Sequence, residues 1–220
     1  MKIAMIHATV SAVQPLTDVF QSMDPSIQIV NYVNEEMLAR VNRDGKVEKS
    51  TLRAFANLVF SAAESDADGI LIACSIFCAY APLLRQFVKI PLIAIDAPML
   101  EKACKAGETV GIVATTAAAG PTAEKQLQEQ AARLHRSIRT KVRIVTEAMD
   151  ALKSGNNHLH DEKIAAAAES LLDDGCDAVV LCQISMAGAK QKVTPGRQSK
   201  IMTSPEEGAA AMIALIREGK

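Results

Sequence analysis

The feature that most constrains this 220-residue chain is that it repeats itself. The run Ala8-Thr9-Val10-Ser11-Ala12-Val13-Gln14-Pro15 returns as Ala114-Thr115-Thr116-Ala117-Ala118-Ala119-Gly120-Pro121, sharing the pattern A-T-x-x-A-x-x-P. Asp68-Gly69-Ile70-Leu71-Ile72-Ala73-Cys74 returns as Asp177-Ala178-Val179-Val180-Leu181-Cys182-Gln183, and Asp96-Ala97-Pro98 as Thr203-Ser204-Pro205. The offsets are 106, 109 and 107 residues, so three ordered pairs describe one duplication. A chain of this kind builds one supersecondary pattern twice.

The pattern is α/β. Strands are expected at Ile3–Ile6, Ile27–Tyr32, Gly69–Ala73, Leu92–Ile95, Val110–Ala114, Val142–Val145, Ala178–Leu181 and Lys200–Met202. Most are continuous apolar runs rather than apolar/polar alternations, as suits strands covered on both faces of a parallel sheet. Helices fill the intervals. One is expected from about Leu159 to Leu172, with Ile164, Ala168, Leu171 and Leu172 on one face, and another starts at Ser204-Pro205-Glu206-Glu207, which reads as a capping box. Repeated β-then-α order implies parallel sheets with right-handed crossovers. In such sheets ligands bind at the carboxyl ends of the strands. Thr9, Cys74, Thr115 and the Cys182-Gln183 pair all stand there, and two halves related by a pseudo-two-fold would bring them to one interdomain cleft.

Composition narrows the function classes. Aromatic residues make up 3% of the chain, with no Trp, and the formal net charge is −1. Base stacking and a general basic field are therefore both missing, and no nucleic-acid partner is expected. The longest uncharged stretch, Gly69 to Leu84, is too short to span a membrane and contains Pro82, so no membrane partner is expected. The N-terminal MKIAMIHAT reads as a strand rather than an export signal, which makes a cytoplasmic location the expectation. In that setting five cysteines at irregular spacings imply thiols rather than a disulfide framework.

Cys74 is the main candidate for chemistry. A helix is expected to begin just after it, and unpaired N–H groups at a helix start favour thiolate; the competing reading is an inert core cysteine. Cys78, Cys104 and Cys176 read as structural. Neither Cys74-x-x-x-Cys78 nor His158-x-His160-Asp161 has a second ligand pair, so no metal site is expected. Thr9 and Thr115 suit either ligand binding or helix capping. His7 suits either proton transfer or a structural role. Lys190, Lys192, Arg197 and Lys200 lie in a stretch without acids, which reads either as a solvated loop or as a positive rim steering carboxylates.

Taken in order, Leu71-Ile72-Ala73-Cys74-Ser75, Ile90-Pro91-Leu92-Ile93-Ala94-Ile95-Asp96-Ala97-Pro98-Met99, Val110-Gly111-Ile112-Val113-Ala114-Thr115-Thr116, His160-Asp161, Ser185-Met186-Ala187 and Thr203-Ser204-Pro205 resemble the aspartate/glutamate/hydantoin racemase superfamily. The resemblance implies two flavodoxin-like halves, 1–97 plus 205–220 and 98–204, with the active site between them. It implies cofactor-independent racemisation at an acidic carbon next to a carboxylate or carbonyl, a small carboxylate-bearing substrate, and a homodimer. One cysteine from each half would flank the substrate, Cys74 and Cys182, one removing the α-proton and the other donating. Thr9, Ser75, Thr115, Thr116, Gln183 and His7 would bind substrate, stabilising the carbanion as an oxyanion hole does.

The repeat register departs from that scheme. Aligning Asp68 with Asp177 pairs Cys74 with Gln183 and Cys182 with Ala73. Side chains alternate faces along a strand, so a one-residue offset turns Cys182 away unless a bulge re-aims it. Gln183 hydrogen-bonds but is no acid or base near neutral pH. Two alternatives stay open: a single-cysteine decarboxylase of the arylmalonate type, and a non-catalytic small-carboxylate sensor.

Overall fold

The computed structural model describes residues 1–219, and among them eight strands form two separate four-stranded parallel sheets. The chain divides into two compact units, Met1–Asp96 with the segment from Gly208 onward, and Ala97–Glu207.

The first unit runs β1 (Lys2–His7), α1 (Val13–Met23), β2 (Gln28–Val33), α2 (Glu35–Asp44), α3 (Lys49–Ala63), β3 (Gly69–Ile72), the short α4 (Ser75–Cys78) and α5 (Ala81–Leu84), and β4 (Leu92–Ala94). Its sheet order is β2-β1-β3-β4. β1 and β3 lie in the middle, with Ile3 to Ile6 and Ile70 to Ile72 almost fully buried. Each such aliphatic side chain contributes about 1.5–3 kcal/mol on burial, which is why these two runs are the most continuous in the sequence. β2 is an edge strand and exposes Gln28, Asn31 and Val33. The final helix packs back here: Met212 and Ile216 are buried, and Arg217 meets Asp24 at 3.2 Å.

The second unit runs α6 (Asp96–Ala106), β5 (Thr109–Ala114), α7 (Ala119–Arg133), β6 (Arg139–Ile144), α8 (Thr146–Lys153), α9 (Asn157–Asp173), β7 (Ala178–Leu181), a 3-10 stretch at Ile184–Lys192, β8 (Ile201–Thr203) and the start of α10 (Ser204–Glu218). Its order, β6-β5-β7-β8, repeats that of the first sheet. β6 starts three residues before the expected Val142, because Arg139, Lys141 and Arg143 are exposed or half-exposed along an edge strand that tolerates charge. Two apolar layers cover the two faces. Val113, Val179, Leu181 and Ile201 pack with α9; Val110, Ile112, Ala178 and Val180 pack with α6 and α7.

The duplication is visible in hydrogen bonds as well as topology. Asp68 accepts from the backbone N–H of Lys2 at 2.7 Å, and Asp177 accepts from that of Thr109 at 2.9 Å, each tying the start of one central strand to the next. Strand pairing makes Lys2 equivalent to Thr109 and Gly69 to Ala178. The A-T-x-x-A-x-x-P match is one residue out of this register. Ala8 stands where Thr115 does, and Thr9 where Thr116 does, because the loop after β5 is a residue shorter. The Asp96 match shifts too: pairing sets Ala94 opposite Ile72 and Thr203 opposite Leu181, so Asp96 has no counterpart at Thr203.

Candidate active site

In the first unit, β3 is prolonged by one bond, Ala73 N–H to the Ile6 carbonyl at 2.9 Å, and Cys74 follows in an extended conformation (φ −142°, ψ 113°). The Cys74 carbonyl accepts from Phe77 N–H at 2.9 Å and Cys78 N–H at 3.1 Å, which opens α4. What holds this turn is aromatic. Phe77 is fully buried and stacks on Phe55 of α3, ring centroids 4.6 Å apart. Below it the Cys78 thiol contacts the Ile72 carbonyl at 3.7 Å.

The Cys74 thiol is half-buried, and burial pushes its pKa up. The amides of Ile76 and Phe77 pull the other way, while the Asp96 carboxylate adds to the rise; the net shift is upward. This corrects the expectation of a thiolate held by the helix start. α4 is only four residues long, so its dipole is small, and desolvation wins. Cys74 therefore rests as a neutral thiol at neutral pH. Cys78, more deeply buried, is pushed well above the usual thiol range.

The other first-unit candidates are placed as follows. Thr9 caps its own 3-10 turn, its hydroxyl accepting from Ser11 N–H at 3.4 Å. Ser75 opens α4, partly exposed. His7 is fully buried at the end of β1 with Nε2 2.9 Å from Asn31 Oδ1; burial lowers its pKa and keeps the ring neutral. Ile6 pairs with Ile72, so alternation turns Cys74 to the face of Ile6 and His7 to the opposite one. The sheet does not bring those two side chains together.

In the second unit Thr115 is buried and donates twice to one atom: its N–H lies 2.9 Å, and its hydroxyl 2.7 Å, from Gln183 Oε1. A backbone N–H can only donate, so the carboxamide orientation is fixed and Gln183 keeps two N–H donors for another group. Gln183 (φ −125°, ψ 142°) has the extended backbone of Cys74 and the same place after its strand. Cys182 takes the place of Ala73. Its N–H donates to the Val113 carbonyl at 3.3 Å, its thiol lies 2.7 Å from the same oxygen, and its side chain packs on the face of Ala178 and Val180. Thr116 accepts from Ala119 N–H at 3.3 Å.

Residues 3–212 match the family model of Asp/Glu/Hydantoin racemase. The chain belongs to the Asp/Glu/hydantoin racemase family. Solved structures share its fold. The Picrophilus torridus aspartate racemase is 18% identical with a TM-score of 0.69, covering 98% of this chain and 94% of that one. The allantoin racemase from Pseudomonas fluorescens is 16% identical, TM-score 0.67, with 100% and 92% covered. The Thermus thermophilus glutamate racemase, solved with β-chloro-D-alanine, is 19% identical, TM-score 0.65, with 99% and 81% covered. No curated protein sequence matches the chain significantly.

Three of the four cations in the basic stretch face acids. Lys190 pairs with Glu206, Arg197 with Asp173 at 2.8 Å, and Lys200 faces Asp177. Those pairings favour the solvated-loop reading over a positive rim. They also undo the expected capping box: Glu206 and Glu207 go to Lys190 and Lys102, and the Ser204 hydroxyl is buried without a hydrogen bond. His158 meets Glu162 at 3.3 Å and His160 meets Asp161 at 2.9 Å, and among the described residues no group of three or more His, Cys, Asp or Glu is arranged for a metal. Sequence reasoning met Asp96 only as part of a repeat and of the resemblance, and His160 only in a rejected metal motif and the resemblance; the structure buries both, Asp96 beside the Cys74 and Cys78 thiols. The signal for His160 was its spacing, four residues before Ile164 on the apolar face of α9. Among the described residues no helix is long and apolar enough to cross a membrane.

Proposed function

We propose that this family member is a cofactor-independent isomerase acting at an acidic carbon next to a carboxylate or carbonyl, with Cys74 as its thiol acid/base. Aspartate, glutamate and a hydantoin such as allantoin are the first substrates to test, since fold relatives are racemases of these three compounds. The observation that carries the reading is the Cys74 turn: a neutral, half-buried thiol at a strand end, held in place by the Phe77–Phe55 stack. In the resting state this thiol is a proton donor. Donation to a planar carbanion turns it into thiolate, and reversal makes that thiolate the base. General acid–base catalysis of this sort is worth about 10²–10⁴-fold. In the second unit, the N–H donors that the Thr115 bonds leave on Gln183 suit a negative oxygen of a carboxylate.

A second reading is favoured by Gln183 at the position equivalent to Cys74. A single thiol that protonates a carbanion left by loss of CO2 needs no thiol partner, which is the chemistry of an arylmalonate-type decarboxylase.

The test is proton exchange in D2O with each enantiomer of aspartate, glutamate and allantoin, followed by NMR, with Cys74→Ala in parallel. Loss of α-deuteration in Cys74→Ala supports the assignment; undiminished exchange in that variant removes it. Release of CO2 from aryl malonates without exchange selects the decarboxylase. Carboxylate binding with neither reaction identifies a sensor.

A further inference from the structure

The second unit carries a basic groove at the amino end of its sheet, the end opposite Thr115 and Gln183. We propose that this groove binds a phosphate group, free or on a small organic molecule, held by Arg139 and Lys141 of β6. The site lies wholly within the second unit and does not depend on the reaction assigned to Cys74.

The charge is concentrated in one stretch. Between Gln130 and Thr146 the chain carries five Lys or Arg, namely Arg133, Arg136, Arg139, Lys141 and Arg143, and no acid, against a net charge of −1 overall. Edge strands carry such charge to avoid pairing with other chains, but the duplication shows that this fold does not need it. Strand pairing makes Arg139, Lys141 and Arg143 equivalent to Gln28, Val30 and Tyr32 of β2, the edge strand of the first sheet. β2 fills the same place without a charged residue. The segments leading in differ likewise, Asp24-Pro25-Ser26-Ile27 before β2 and His135-Arg136-Ser137-Ile138 before β6. The cations of β6 need another reason.

A groove of about 640 Å³ runs from the start of β5 and β6 to the turn after α9, and Arg139, Thr140, Lys141 and Asp174 line it. That volume suits a small organic ligand. Thr109 opens β5 and Thr115 follows it, so groove and candidate active site stand about 20 Å apart along the strand.

Both cations are held by neutral groups. Arg139 donates Nε and Nη2 to the Thr109 hydroxyl at 3.3 and 3.2 Å, which leaves its Nη1 donors for another acceptor. Glu108 comes to 3.7 Å of it, and both side chains are exposed, where an ion pair is worth little. Lys141 donates Nζ to the Asp174 carbonyl at 2.6 Å and keeps further donors. The other acids nearby are engaged. Asp174 Oδ2 meets Arg143 at 3.2 Å, Asp177 accepts from the N–H groups of Glu108 and Thr109 at 2.8 and 2.9 Å, and Glu124 takes the Thr140 hydroxyl. The charge lining the groove is therefore positive.

Arg139 and Lys141 leave the same face of β6 about 7 Å apart, a span over which one phosphate can accept from both. Arg139 N–H goes to the Glu108 carbonyl at 2.7 Å, so the next amide, that of Thr140, points to the open edge of the sheet. A guanidinium, an ammonium and an edge amide together match the several oxygens of a phosphate better than the two of a carboxylate.

The test is isothermal titration calorimetry of the full chain at low salt, with inorganic phosphate, adenosine monophosphate and adenosine as probes. Binding of phosphate or adenosine monophosphate, and none of adenosine, is expected. Tighter binding of the monophosphate assigns an organic phosphate; equal affinities assign the phosphate group alone. Arg139→Gln, which installs the residue found at the equivalent point of β2, and Lys141→Gln are each expected to weaken binding about tenfold to a hundredfold, the worth of a hydrogen bond to a charged group. Arg139→Lys, which keeps the charge and loses the fork, is expected to fall between and decides the matter if Arg139→Gln does not fold. Lys46→Gln, at an exposed cation of the first unit, is expected to change nothing. No binding of either phosphate probe, unchanged affinity in the folded β6 variants, equal weakening in Lys46→Gln, or adenosine binding as tightly as its monophosphate each overturn the site. None of these outcomes bears on Cys74.

Discussion

Thr115 gives both its backbone N–H and its hydroxyl to a single atom of Gln183, 68 residues away, at 2.9 and 2.7 Å. The bond pair joins the ends of β5 and β7 and decides which way the Gln183 carboxamide points. Thr115→Val removes one of the two bonds and preserves the shape. One hydrogen bond is worth about 0.5–1.5 kcal/mol, so a comparable loss of stability is expected in urea titrations. KM is expected to rise about threefold to tenfold by the same measure, with kcat much less affected. Thr115→Ser restores the hydroxyl and both values. An unchanged KM in Thr115→Val would separate Gln183 from substrate binding.

The raised pKa of Cys74 makes a kinetic prediction of the opposite sign to the usual reactive cysteine. At pH 7 the thiol form dominates, so iodoacetamide labels Cys74 more slowly than it labels free cysteine, and labelling accelerates as pH climbs past about 8.5. Cys78, Cys104 and Cys176 are shifted upward by burial as well. Groups with raised folded-state pKa give stability that is complete below the unfolded value and lost as pH rises through the folded one. Thermal stability is therefore expected to fall as pH rises past about 8.5, the ordinary thiol value. Peptide mapping of the labelled protein checks the first point; fast labelling of Cys74 at pH 7 contradicts it.

The Phe55–Phe77 stack links the core to the chemistry, because Phe77 is three residues from Cys74. Phe55→Ala is expected to cost about 3–5 kcal/mol, the range for a buried Phe emptied to a cavity. Phe55→Leu fills most of the space and forfeits mainly the ring contact, about 0.5–1.5 kcal/mol. In that milder variant, kcat for Cys74-dependent exchange is expected to drop while a urea midpoint shows the protein still folded. Full activity in Phe55→Leu would mean the turn is held by its backbone bonds alone.

How far the sequence could be read depends on where each residue stands. Ile3 to Ile6 and Ile70 to Ile72 are buried on both sides, so hydropathy alone locates them. The edge strand β6 hides behind Arg139, Lys141 and Arg143. The pairing of Cys74 with Gln183 follows from Asp68 and Asp177, which bond the same point of their sheets, and side-chain alternation then separates Cys182 from it. Three things had no local signal. The direction of the Cys74 shift depends on burial that arises only in the folded chain. The Thr115–Gln183 bond exists only once two strands pair. The glutamates of α10 look like caps until Lys102 and Lys190 arrive from elsewhere.

His7 makes the acid side of the stability curve a measurement of burial. Its folded pKa is below the ordinary 6.5, because desolvation of the charged ring outweighs the bond to Asn31. The unfolded chain therefore takes up a proton near pH 6.5 that the folded chain refuses. Stability is complete above that value and declines as pH falls through it toward the folded pKa. The carboxylates held low, Asp24 and Asp177 among them, lose their contribution only as pH falls through about 4 and below, so the window from pH 7 to 5 isolates histidine. Urea midpoints at pH 7 and pH 5 are expected to differ more in the wild type than in His7→Gln, where the amide can still meet Asn31 but cannot titrate. If the two proteins lose stability in parallel over that window, His7 is charged or accessible in the folded state, and its placement beside Asn31 is wrong.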